Sequence, residues 1–182
     1  MVEPAAFRDE ITQAAKVIDN AMHQIHVGNS YMAGVFDLSM GDGDFIGIAF
    51  TCPATNTKVL HMVCLYNSKA SAHMELIEIP ETLTGGTAVT PLNRDRNSSN
   101  ASLIADMKTY KSDDADVITA GSGLIVTFDY TWVDKKEGTR ARPLLEIILK
   151  PGLVYAVRVE TDEASNAAQL GLGWFEHRSI DT

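Results

Sequence analysis

One helical stretch followed by nothing but short alternating runs constrains this chain more than any other feature. Pro4 suits the first turn of a helix, where a missing N–H costs no hydrogen bond. From there Phe7, Ile11, Ala14, Ala15, Ile18 and Met22 recur at helical spacing, with Arg8, Asp9, Gln13, Lys16 and Asn20 on the other side. The spacing predicts an amphipathic helix of about five turns with a narrow, alanine-rich apolar stripe. Two readings of that stripe stand side by side. It packs on the chain's own body, or it packs against copies of the chain or a neighbouring protein, since small residues let helices approach closely.

After His26-Val27-Gly28-Asn29 the texture changes. Ile46, Ile48, Phe50 and Cys52 alternate onto one face, and the run 59–66 is almost continuously apolar, which predicts a central strand covered on both sides. Residues 73–79 alternate again until Pro80, and Leu124, Val126, Phe128, Tyr130 and Trp132 share a face. An apolar strand is expected over 144–149. Leu153, Tyr155, Val157 and Val159 then align, as do Leu170, Leu172 and Trp174. Gly- and Pro-containing turns separate the runs, so they read as an antiparallel sandwich or barrel and not as βαβ units. The polar stretch 93–116 interrupts the pattern as a long surface excursion, with a short strand expected near 103–110. The expected division is a helical arm over 1–25 and a β-sandwich over 26–182.

A chain of 182 residues buries enough surface for one domain without metal or disulfides. Its net charge of −9 argues against a nucleic-acid backbone as partner, which needs a basic face to displace counterions. No apolar run of about 18 residues is present, so no helix is expected to cross a membrane. The opening MVEPAAFRDE has acids where a signal peptide has a basic region, and the expectation is a chain not exported by that route. Cys52 and Cys64 each lie in an apolar run and are expected as reduced core thiols, in keeping with cytoplasmic folding.

Chemistry-bearing constellations are sparse. Among His23, His26, His61, His73 and His177 only the first two are close, at i, i+3, and no metal is expected. There is no Gly-X-Ser-X-Gly elbow, and Gly41-Asp42-Gly43 lacks the lysine and helix of a phosphate cradle. Glu75 and Glu78 fall on opposite faces of one strand, which makes them poor acid–base partners. Trp132 and Trp174 lie on apolar faces and read as core rather than as a sugar platform. Cupin-like chemistry would need closely spaced histidines, and His61 and His73 are not so placed. Catalysis and cofactors are therefore not expected.

Several short motifs occur in a fixed order: His26-Val27-Gly28-Asn29-Ser30-Tyr31, Thr51-Cys52-Pro53, Glu78-Ile79-Pro80, Thr84-Gly85-Gly86-Thr87, Asn93-Arg94-Asp95-Arg96, Leu149-Lys150-Pro151-Gly152-Leu153-Val154-Tyr155 and Trp174-Phe175-Glu176-His177. Together they resemble a family of small virion proteins of tailed bacteriophages, described as structural or head decoration (cement) proteins. The resemblance runs from His26 to His177 and leaves the helix outside. It implies a jelly-roll-like antiparallel β-sandwich that binds the outside of an assembled capsid, with the major capsid protein and sister copies as partners and a trimer favoured. Its location would be the virion surface, after assembly in the host cytoplasm. Candidate contact residues are Phe7, Ile11, Ala14, Ala15, Ile18 and Met22 on the helix, with Arg94, Arg96 and Tyr110 on the excursion. The alternative is a tail receptor-binding or carbohydrate-binding module.

Overall fold

The structure, a computed structural model, describes residues 20–54, 58–81, 84–114, 118–119, 124–131 and 146–178. A short helix, α1 (Asn20–His26), leads into β1 (Ser30–Met40), β2 (Phe45–Thr51), β3 (Lys58–Ser68) and β4 (Ala72–Glu78). The middle of the chain supplies β5 (Thr87–Ala88), β6 (Leu92–Asn93), β7 (Met107–Lys111) and β8 (Leu124–Thr131). It closes with β9 (Ile147–Ile148), β10 (Val154–Thr161) and β11 (Asn166–Arg178). The protein is mainly β. Phe7, Ile11, Ala14, Ala15 and Ile18, and Trp132 with them, lie outside the described residues.

The strands form two antiparallel sheets. One has five strands in the order β6-β1-β11-β3-β9, and the other six in the order β5-β7-β2-β10-β4-β8. Links from β1 to β2, β2 to β3, β3 to β4 and β10 to β11 each pass from one sheet to the other. Each strand therefore turns one side to a shared core, which is the reason the period-2 pattern is so regular. Ile46, Ile48 and Phe50 of β2 meet Leu60, Met62 and Cys64 of β3 and Leu170, Leu172 and Trp174 of β11 in that core. Burying a side chain such as Ile46 or Leu172 contributes about 1.5–3 kcal/mol.

Three expectations are corrected here. The apolar run of β3 is not covered on both sides: Leu60, Met62 and Cys64 point inward, while Leu65 on the other face is 40% exposed. The excursion carries its strand at 107–111, and residues 94–106 before it are irregular. Tyr110 is no exposed loop aromatic. It sits in β7 at 1% exposure, in a second small cluster with Phe45, Ala49, Ile77, Ile118 and Ala156. The turn at Gly86 lies against the Tyr110 ring, so closely that a Cβ there would stand 2.7 Å from Cε1. Tyr110 is accordingly withdrawn from the contact residues.

Candidate docking face

Motifs scattered along the sequence converge on two corners. In the first, Gly28 adopts φ 71°, a left-handed conformation that suits glycine, and turns its carbonyl inward. The Asn93 side-chain amide donates to that carbonyl at 2.9 Å and to the Asn100 carbonyl at 3.0 Å. Asn93 Oδ1 in turn accepts the Asp95 N–H. Glu176, fully buried, accepts the Ser102 hydroxyl at 2.8 Å and the Leu103 N–H at 2.9 Å, with the Trp174 indole N–H at 3.3 Å. The turn after α1, the excursion and the last strand are thus stapled together. Burial and the Glu176 carboxylate push the Tyr31 phenol beside them up to about 12.

The second corner joins Glu78 to the 149–155 segment. The Tyr155 hydroxyl donates to Glu78 Oε2 at 3.2 Å and accepts the Lys150 N–H at 2.9 Å, while Lys150 Nζ reaches Glu78 Oε1 at 2.8 Å. Cys52 N–H donates to the Leu153 carbonyl at 2.8 Å, and Gly152 N–H returns to the Cys52 carbonyl at 3.1 Å. Burial, chiefly, raises the Tyr155 phenol to about 12. Burial likewise raises the Cys52 thiol to about 11 and the Cys64 thiol to about 12, so neither is a thiolate at neutral pH. These residues hold the backbone, and their polar atoms are spent on one another.

What remains open is the outer face of the five-stranded sheet. Inward alternation on β1 and β3 sends Met32, Phe36, Leu38 and Leu65 outward, and Leu92 of β6 and Ile148 of β9 join them. Leu38 is 77% exposed. Between these side chains β11 presents glycine. Met32 stands opposite Gly173 and Gly173 opposite Val63; one row on, Gly34 faces Gly171 and Gly171 faces Leu65. The result is an apolar groove of about 570 Å³, floored by Gly34, Gly171 and Gly173 and walled by Met32 and Leu92 on one side and Val63 and Leu65 on the other. None of the three floor glycines has a positive φ, so the backbone does not demand them. A Cβ added at Gly173 would meet nothing within 4 Å. A strand glycine required neither by backbone nor by internal packing leaves room for something outside the chain. Contiguous exposed apolar surface makes this face the candidate docking surface among the described residues.

At the Phe175 end of the groove the His61 and Phe175 rings stack with centroids 4.7 Å apart. His61 Nε2 lies 2.8 Å from His177 Nε2, His61 Nδ1 contacts the Glu146 carboxylate, and His177 Nδ1 faces the Arg178 carbonyl at 2.7 Å. These contacts line the two imidazole rings up between the Glu146 carboxylate and the Arg178 carbonyl. No group of three or more His, Cys, Asp or Glu side chains among the described residues is arranged to hold a metal. His23 and His26 lie on α1, and His73 pairs with Asp162 at 3.1 Å.

Of the candidate contact residues within the described regions, Met22 is 58% exposed on α1, and Arg94 and Arg96 are exposed on the excursion. Arg94 also borders the groove. Sequence reasoning missed the groove itself. Its signal was Gly171 and Gly173 alternating with the core residues Leu170, Leu172 and Trp174 on one strand. Comparisons of the chain with protein families, with curated proteins and with solved structures find no match in any of the three.

Proposed function

We propose that the protein is a non-enzymatic virion structural protein that decorates and stabilises the outside of a tailed-phage capsid, through oligomeric contacts with the major capsid protein and its own copies. The observation that carries this reading is the outward apolar face with its glycine-floored groove, a surface suited to holding another protein. Glu78, Asn93 and Glu176, from the motifs behind the resemblance, support it too, because they hold the two corners of the sandwich. The strand order favours the finer reading of the sandwich as a jelly roll. With β1, β11, β3 and β9 adjacent in one sheet and β2, β10, β4 and β8 in the other, it matches two interleaved Greek keys.

Such a protein acts by adding buried interface between neighbouring capsomers, so the decorated shell resists the outward pressure of packaged, self-repelling DNA. A closed oligomer, a trimer on a local threefold, multiplies weak contacts into avidity. A tail receptor-binding module would call for exposed aromatics at one end of the sandwich, and Tyr110, the main candidate on the excursion, is buried. The test is to strip the protein from heads of the phage that carries its gene, add purified protein back, and record the temperature of DNA release. Saturable binding with a raised release temperature is expected. Heads that neither bind the protein nor gain stability from it would sink the proposal.

A further inference from the structure

The outer face of the five-stranded sheet carries opposite charges on its opposite edges. β6 holds Leu92 outward and Asn93 inward, so Arg94 returns to the outer face at one edge. On β9, Ile147 packs against the core and Ile148 is exposed, so Glu146 shares the outer face at the other edge. Both border the groove. Glu146 contacts His61 and still leaves its side chain 46% exposed, and Arg94 has no ion-pair partner among the described residues. The two edges are four strand spacings apart, about 19 Å, too far for these charges to meet within one chain.

We infer that this face pairs with the same face of a second copy, about a two-fold axis running along β11. The edge charges choose the axis. A turn about β11 brings β6 of one copy over β9 of the other, and Arg94 faces Glu146 twice. An axis across the strands would set Arg94 against Arg94 and Glu146 against Glu146. The Arg94 N–H donates to the Ser30 carbonyl at 2.8 Å, and Glu146 precedes Ile147, the partner of Met62. The charges are thus about two residues, or 7 Å, apart along the strands, a distance the flexible arginine side chain spans. The same turn lays β1 over β3. Gly34, Gly171 and Leu65 share one row, so Leu65 of each copy stands over Gly34 of the other, large against small. Gly171 and Gly173 lie along the axis, where Met32 and Val63 of both copies fill the space they leave. From Ser30 to Leu38 the three long strands cover about 14 by 30 Å, and with β6 and β9 roughly 500 Å² per copy. The pair covers about 1,000 Å² in all, the scale at which a specific interface begins. The inference rests on the oligomeric reading above and sets its symmetry as an isologous pair, where the resemblance implies a trimer.

Charge reversal in the full chain tests it, with mass read by light scattering and the dissociation constant by sedimentation equilibrium. The unmodified protein should be a dimer. Arg94→Glu and Glu146→Arg should each weaken pairing more than about tenfold, because each sets like charges opposite one another at both edges. The two reversals combined should restore it, and across about 19 Å that rescue can arise only between copies. A trimer overturns the two-fold contact and leaves the oligomeric reading standing. So does a dimer that the single reversals leave unchanged or that the double variant fails to restore. A monomer refutes the contact and the oligomeric reading together, whatever else covers the groove.

Discussion

Gly28→Ala strikes the corner that joins α1, the excursion and β11, and its cost follows from three terms. A non-glycine residue at φ 71° costs about 1–2 kcal/mol. The added methyl would lie 2.2 Å from Ser98 Oγ and 2.7 Å from Ser98 Cβ, so the 98–100 turn must move. That movement strains the bonds from Asn93 Nδ2 and Asn100 Nδ2 to the Gly28 carbonyl, each worth about 0.5–1.5 kcal/mol. The sum is about 3 kcal/mol. For a chain of this size that lowers Tm by roughly 6–12 °C. Urea unfolding of four proteins measures it: unmodified, Gly28→Ala, Ser98→Gly and the double variant. In the Ser98→Gly background the clash is gone, and the alanine should cost only about 1–2 kcal/mol, the conformational part. A loss below about 0.5 kcal/mol, or equal losses in both backgrounds, would refute the account of this corner.

Met32→Lys with Leu65→Lys should leave the fold within about 1 kcal/mol, since both side chains face outward, yet abolish self-association; urea melts and light scattering read the two effects separately. Cys64 is held up to about 12 from 9.0, so its share of stability is whole below about pH 9 and is lost as pH rises toward 12, by up to about 4 kcal/mol. Thiolate absorbance should therefore appear together with alkaline unfolding, and a thiolate titrating near pH 9 in folded protein would contradict this. The Asp37 carboxyl is held below its usual value, first by its side-chain bond from Lys111 at 2.8 Å. Its contribution is present above the unfolded value of 3.8 and fades as pH falls through the folded one. Lys111→Met should thus cost under about 1 kcal/mol at neutral pH and nothing in strong acid, measured by urea melts across pH.

The sandwich was legible because burial on one side imposes strict alternation, as Ile46, Ile48 and Phe50 or Leu170, Leu172 and Trp174 display. The open face was not legible from β3. A continuous apolar run looks the same whether the chain itself or a separate molecule covers its outer side, so Val63 and Leu65 read as core. Tyr110 was misread for the opposite reason. It fell at the end of the strand expected near 103–110, but its burial comes from the pairing of β7 with β2 and from the Gly86 turn over the ring, long-range contacts that local composition does not encode. The corners followed the same logic: Glu78, Asn93 and Glu176 are polar residues whose partners lie 65 or more positions away in the chain for the bonds that matter most.

The most direct measurement is the position of the protein on intact phage particles, by gold-labelled antibody and electron microscopy. Label spread evenly over the head is the result a capsid decoration protein predicts. Label confined to the tail tip, or absent from the particle, would contradict it.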